Sequence, residues 1–229
     1  MKPLILTGYT SHIKEIAELC LPSKRQWAER HGVELVVLTD EDFHRERGHP
    51  SFQKLYWIRQ FLAGRGEPVI WLDADVMVTN LNVTPESLLP TPPDFMRASL
   101  DYNDAGRPPH KAWSAGNTAW MPTPEALAWL DQAMKDEGAR WGGLWDQDAL
   151  QACQPDEGVC VSPPRYMNAV HPNFGLPASW QPGDFLIHFT GIAPEDRAAE
   201  ARKFVEQYLT EPDREPVDSP FNPHPTIHP

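Results

Sequence analysis

Two aspartates one residue apart, Asp73 and Asp75, lie inside an apolar stretch, with Val-Ile-Trp-Leu before them and Val-Met-Val after. Desolvating unpaired carboxylates is costly, which counts against the plain alternative of a solvated pair in a turn. If a strand ends at residue 72 and the chain turns, both carboxylates can point to one side. They then form a hard-oxygen site for Mg²⁺ or Mn²⁺ with positions left open for phosphate oxygens. A second candidate is His188, at the end of the apolar run in Gly183-Asp-Phe-Leu-Ile-His-Phe-Thr-Gly191. It reads either as a metal ligand or as a hydrogen-bonded core histidine, and Gly191 lets backbone approach a phosphate closely. A third is the polar triplet Asp146-Gln147-Asp148 opening a short apolar segment. On residue type alone it is equally a helix cap, with Asp146 accepting backbone N–H groups.

These groups need strand ends to hold them, and the pattern supplies such ends. Residues 3–7 read as a buried strand running into a hydroxyl-rich loop, Gly8-Tyr9-Thr10-Ser11. Ser11 is placed to cap a helix through Cys20, and Pro22 is expected to break it and open a second helix ending at Gly32. Residues 33–38 form the next strand. Strand, helix and strand in this order predict a parallel sheet with crossover helices. Helical spacing returns over residues 52–63, closed by Gly64 and Gly66, and the strand 68–72 leads into the aspartates. Beyond them the pattern predicts a proline-rich loop at 84–94, a strand at 95–100, a mobile loop at 101–111 and a strand at 114–121. A helix from Thr123-Pro124 to about residue 135, a short helix near Asp146, a strand at 185–189 and a helix from Pro194 through residue 209 complete it. The expected organisation is one domain over residues 1–210. Residues 211–229 carry six of the 25 prolines and no hydrophobic period, which predicts an extended or disordered tail.

Composition narrows the function classes. The 229-residue length suits one α/β domain. A formal charge of −12 argues against nucleic-acid and anionic-membrane surfaces. An acidic protein that binds a nucleotide diphosphate needs a cation between the two, which again favours a divalent metal. The nine tryptophans read mainly as core residues, with a few able to line a sugar cleft. Three cysteines without metal-type spacing predict free thiols in a reducing compartment. With no apolar run long enough for a signal peptide or a membrane span, the expectation is a cytoplasmic protein. Oligomeric state leaves no mark in the sequence.

The ordered pieces SKRQWAERHGVELVVLTD, FQKLYWIRQFL, VIWLDADVMVTN, the SAG at residues 114–116, DQDAL, PPRYMNAV and GDFLIHFTG carry a resemblance. Over residues 3–192 the chain resembles a GT-A-fold glycosyltransferase, closest to the galactosyltransferase family 34 of yeast mannan and plant xyloglucan enzymes, and more remotely family 8. The resemblance implies a Rossmann-like α/β fold of the nucleotide-diphospho-sugar transferase type, with a mixed, mostly parallel sheet flanked by helices. It implies a retaining transferase that uses Mn²⁺, or Mg²⁺, and moves a sugar from a nucleotide-sugar donor, by family habit a UDP-sugar, to a glycan or other hydroxyl acceptor. Asp73, Asp75 and His188 are implied as metal ligands. Contacts to cofactor and donor are implied at Thr7, Tyr9, Lys54, Asp73, Ala74, Asp75, Ser114, Gly116, His188 and Gly191. Asp146 is implied to hold sugar hydroxyls and Gln147 to lie beside the anomeric carbon, where an amide can stabilise oxocarbenium charge but cannot be a nucleophile. That favours front-face transfer, with Asp148 the candidate nucleophile if it points inward. The chain departs from the family in carrying Ser114 where Asn is usual and Ala193 where a phosphate-binding Lys is common. Lys54 or Arg197 is left to supply that charge.

Other classes fit less well. A haloacid-dehalogenase-like phosphatase also ends a strand in Asp-x-Asp, but near its N-terminus rather than after a complete strand-helix-strand unit. Sugar nucleotidyltransferases need a glycine-rich N-terminal loop with Arg, and LILTGYTSH is not one. A non-catalytic nucleotide-sugar or glycan-binding protein would have little reason to keep both acids, His188 and Gln147.

Overall fold

A computed structural model describes residues 2–101, 112–174 and 177–209. The chain alternates strand and helix through β1 (Leu4–Gly8), α1 (Lys14–His31), β2 (Leu35–Leu38), α2 (Pro50–Arg65) and β3 (Val69–Leu72). It continues through β4 (Val76–Val78), the short α3 (Pro85–Leu88), β5 (Met96–Leu100) and β6 (Trp113–Trp120). Then come α4 (Pro124–Ala133), α5 (Glu137–Trp141), α6 (Asp146–Ala152), β7 (Val159–Ser162), α7 (Pro164–Met167), β8 (Leu186–His188) and α8 (Arg197–Phe204).

Six strands form one sheet in the order β2-β1-β3-β6-β5-β7. Only β6 runs against its neighbours, so the sheet is mixed and mostly parallel, as expected. Period-two alternation divides each buried strand between two cores. Leu4, Leu6, Val69 and Trp71 face the cluster under α2, α4 and α6, while Ile5, Ile70 and Leu72 face the opposite cluster with Trp27 of α1. Both faces are covered, so Leu4–Leu6 of β1 and all of β3 are apolar.

β4 and β8 form a separate antiparallel pair, with Val76 opposite His188. This register determines the site. It lays the GDFLIHFTG segment along the residues that follow the aspartates, and the Phe189 N–H donates to the Asp75 carbonyl at 3.0 Å. The N–H groups of Thr79 and Asn80 both donate to Phe185 O, and the Arg165 guanidinium clasps both oxygens of buried Asp184 at 2.7 and 2.9 Å. The two segments are therefore tied together on both sides of the pair.

Several expectations need correction. Pro22 does not break the helix, and α1 runs unbroken from Lys14 to His31. The proline ring faces solvent, and the Ser23 hydroxyl donates to Cys20 O at 2.8 Å. Ile16, Ala17 and Cys20 before it and Lys24, Trp27 and Ala28 after it are all buried, so packing on one support holds both halves in line. Ser11 is not the cap. It opens a one-turn 3₁₀ segment and its N–H donates to the Asp40 carboxylate. Gly64 lies within α2, and only Gly66, at φ 65°, terminates it. The loop at 84–94 contains α3, whose first turn begins at Pro85, a favoured position for proline. The sequence reading missed α5, β7 and α7, all five residues or shorter. The expected loop beyond Asp101 and the proline-rich tail lie outside the described residues. No helix among the described residues is long and apolar enough to cross a membrane. Cys20, Cys153 and Cys160 are all free.

Candidate functional site

The strand β3 ends at Leu72 and the chain turns through Asp73-Ala74-Asp75, closed by the Val76 N–H on Asp73 O at 3.2 Å. Asp73 N–H donates to Asn117 Oδ1, and the Trp71 indole N–H donates to Asp73 Oδ1 at 2.7 Å. Both partners come from the β3–β6 pair, where Leu72 lies opposite Asn117, so the sheet itself orients the first aspartate. The β4–β8 pair brings His188 to the same place. Its Nε2 lies 3.2 Å from Asp75 Oδ1 and 4.0 Å from Asp73 Oδ2. One ligand atom from each of the three falls within 4.8 Å of the others.

Asn168 completes the histidine. His188 Nδ1 lies 2.8 Å from Asn168 Oδ1, so a proton on Nδ1 is accepted there and Nε2 is the ring nitrogen that faces the carboxylates. This leaves Nε2 as the atom that a metal would take, with the ring's orientation set by its outer partner. Two carboxylates and an imidazole, with Asp75 6% and His188 4% exposed, fit a divalent ion of mixed oxygen and nitrogen preference. Gly116 gives the cluster its room. A Cβ there would lie 2.7 Å from His188 Cε1 and 2.9 Å from Asp73 Oδ2. Burial alone would raise the Asp75 carboxyl. The His188 ring and the Arg197 guanidinium beside it more than reverse this, holding it well below the usual carboxylate range.

Two buried lysines flank the turn. Lys24 of α1 reaches Asp73 O at 2.6 Å, Ala74 O at 3.1 Å and the Thr7 hydroxyl at 3.3 Å. Lys54 of α2 meets Asp73 Oδ1 at 3.3 Å, Asp146 Oδ2 at 2.6 Å and Ala115 O at 2.8 Å. Burial works against the Lys54 ammonium, but Asp146 and Asp73 together hold its pKa above the ordinary lysine value. Burial pushes the Asp146 carboxyl up to about 6, with Lys54 opposing the shift and the charge of Asp73 adding to it.

The cluster opens onto a cavity of about 750 Å³, within the usual range for small-molecule sites. Of the residues singled out from sequence, Tyr9, Lys54, Asp73, Ala74, Asp75, Ser114, Gly116, Asp146, Gln147, His188 and Arg197 line it. Three do not. Thr7 is buried behind the turn against Lys24. The cavity wall is formed by Thr190 rather than Gly191. Asp148 turns back to accept the Leu144 N–H at 2.7 Å. The helix-cap reading of Asp146 is therefore displaced. Asp146 is the first residue of α6, after the cap position, with its carboxylate on Lys54, and Asp148 accepts the Leu144 N–H ahead of the helix. Gln147 Oε1 accepts the Ala115 N–H at 3.1 Å, and its Nε2 lies 3.4 Å from Asp101 Oδ2. The same segment contains the only positive-φ residue other than glycine among those described, Trp145 at φ 46°, stacked on His49 with ring centroids 3.9 Å apart.

Sequence reasoning missed Lys24 and Asn168 as positioning residues. Lys24 had a visible signal, because it falls in phase with buried Cys20, Trp27 and Ala28 on one face of α1. A lysine in an apolar stripe calls for a partner. Asn168 had none beyond its place in PPRYMNAV, since only the fold brings it beside His188.

No protein-family model matches this chain, and no curated protein sequence matches it. Solved structures do. A glycosyltransferase involved in glycosylation of the major capsid of PBCV-1 superposes with TM-score 0.68 at 16% identity, covering 89% of this chain and 100% of its own. The bifunctional glycosyltransferase WbbM gives TM-score 0.61 at 12% identity, over 87% of this chain and 49% of its own. GlyE of Streptococcus pneumoniae TIGR4 gives 0.54 at 12% identity, over 95% of this chain and 66% of its own. The chain has the fold of these glycosyltransferases. Identities this low carry the fold alone, and the chemistry must be argued from the site.

Proposed function

We propose that this chain is a metal-dependent retaining glycosyltransferase. It moves a hexose or pentose from a nucleotide-diphosphate sugar, most simply a UDP-sugar, to a hydroxyl-bearing acceptor. The observation that carries this reading is the convergence of Asp73, Asp75 and His188 at the floor of one cavity, with Asp146 and Gln147 on its wall. Asp73, Asp75 and His188 would hold Mn²⁺, whose charge would offset that of the donor diphosphate and of the leaving nucleotide. Imidazole beside carboxylates favours Mn²⁺ over Mg²⁺.

The remaining work falls to the chain's own side chains. Asp146, held by Lys54, accepts from sugar hydroxyls and orients the ring. Gln147 is fixed by the Ala115 N–H and presents an amide dipole rather than a carboxylate. The orientation of Asp148 toward Leu144 supports front-face transfer over a covalent intermediate. Membership of family 34, a single transferase domain over residues 1–210 with a separate proline-rich tail, and a cytoplasmic setting belong to the same proposal. The three free thiols support the last.

Incubating the purified protein with Mn²⁺ and a panel of UDP- and GDP-sugars tests this reading. It predicts slow donor hydrolysis with one of them, abolished by EDTA and restored by Mn²⁺, and undiminished turnover in chelator contradicts it.

A further inference from the structure

Arg197, the first residue of α8, lines the same cavity. Its Nη1 meets Asp75 Oδ2 at 2.8 Å while its Nε donates to Ile192 O at 2.9 Å. The other oxygen of Asp75 faces His188. One buried carboxylate is thus shared between the candidate metal cluster and a side-chain cation from another element. Among the described residues, four carboxylates line the cavity (Asp73, Asp75, Asp101 and Asp146), against two Lys or Arg side chains, Lys54 and Arg197. Lys54 is 3% exposed and committed to two of those carboxylates and a carbonyl. The Arg197 side chain is 23% exposed, and the side chain that it meets among the described residues is Asp75.

We infer that Arg197 serves two anions in turn: Asp75 while no cation sits among Asp73, Asp75 and His188, and the donor diphosphate once one does. The inference rests on the nucleotide-sugar reading. A guanidinium and a dication on the same carboxylate repel each other, so each weakens the other's hold. The dication takes over the charge of Asp75, and the guanidinium is left with unspent donors beside the cavity. Its planar fork matches phosphate oxygens in a way that an ammonium does not. Metal and nucleotide binding are then linked through one side chain, and the link is reciprocal.

Isothermal titration of the full-length chain with Mn²⁺ alone, and with UDP at saturating Mn²⁺, tests this in wild type, Arg197→Gln and Arg197→Lys. Arg197→Gln is expected to bind Mn²⁺ alone about fivefold more tightly and UDP about tenfold more weakly, as losing one charge-assisted contact to each anion implies. Arg197→Lys should shift both in the same two directions by less, which keeps the test open if the glutamine variant does not fold. The opposite signs are the signature, because a merely structural role would weaken both titrations together. Mn²⁺ affinity unchanged or reduced in the variants, or UDP affinity unchanged, overturns the inference and leaves the donor reading intact. Wild-type protein that binds no UDP with Mn²⁺ present, and no GDP in the same titration, overturns the donor reading and this inference with it.

Discussion

Lys24 and Lys54 approach the Asp73–Asp75 turn from opposite faces of the sheet and are equally hidden, at 1% and 3% exposure. Burial works against both ammonium groups. For Lys24 it wins, and the pKa falls below the ordinary lysine value, because its ammonium meets two carbonyls and a hydroxyl while the charges of Asp75 and Asp73 only partly compensate. For Lys54 two carboxylates in direct contact reverse the outcome. The lysine behind the turn therefore holds backbone shape, and the one in front holds charge. The same residue type at the same depth does different work because of the groups that it meets.

Methionine substitutions can break that distinction. Lys54→Met keeps much of the volume but leaves buried Asp146 and partly buried Asp73 without their ammonium, and the expected loss is about 3–5 kcal/mol. In a chain of this size that corresponds to a fall in Tm of roughly 10 °C. Lys24→Met leaves neutral carbonyls without a donor and should cost about 1–3 kcal/mol. Adding Asp146→Asn should recover part of the first loss and none of the second. Thermal melts of the four variants check this. Equal losses, or rescue of Lys24→Met by Asp146→Asn, would remove the division between shape and charge.

The front of the turn was far more legible from sequence than its back. Asp73 and Asp75 announce themselves as charged residues in an apolar run, Lys54 came from the family resemblance, and β1, α2 and β3 follow from local periodicity. His188 was identifiable as the end of an apolar strand. Its place beside Asp75, however, comes from the Val76–His188 register, a contact between distant segments that no local pattern encodes. The continuous α1 was misread because proline chemistry is local, whereas the packing of Cys20, Lys24 and Trp27 that overrides it is tertiary. The elements α5, β7 and α7 escaped notice because each is too short to show a period. Asp148 was a candidate on residue type alone, and only the backbone geometry at Gly143–Trp145 turns it away from the cavity.

Gly116→Ala sharpens the comparison from the side of the metal cluster. The new methyl would press on His188 Cε1 and on Asp73 Oδ2, the oxygen that Lys54 does not meet. Metal affinity is expected to fall on the order of 10- to 100-fold, comparable with disturbing a ligand's supporting shell, while Tm falls less than in Lys54→Met. A Mn²⁺ titration beside a thermal melt reads both. Full metal affinity in this variant would mean that the cluster does not need the close approach of β6.

The smallest effect concerns Cys20, one turn before Lys24. Burial pushes its thiol from 9.0 up to about 12, with Lys24 opposing and Asp75 adding to the shift. The folded chain therefore keeps this thiol protonated where the unfolded chain loses the proton, and the thiolate that alkylating reagents need is withheld. At pH 8 iodoacetamide should modify Cys153 and Cys160, which are only partly buried, and reach Cys20 only after denaturation. Peptide mass spectrometry decides it, and alkylation of Cys20 in the native protein would show that the back of the turn is more open than described.

The central claim is that Asp73, Asp75 and His188 form one metal site. Titration with Mn²⁺, followed by isothermal calorimetry and by loss of the free-ion EPR signal, tests it without any donor or acceptor. Wild-type protein should bind one Mn²⁺ per chain at this site. Asp73→Asn, Asp75→Asn and His188→Ala should each lose that binding while retaining the wild-type circular dichroism spectrum. Undiminished Mn²⁺ binding in all three folded variants would contradict the account.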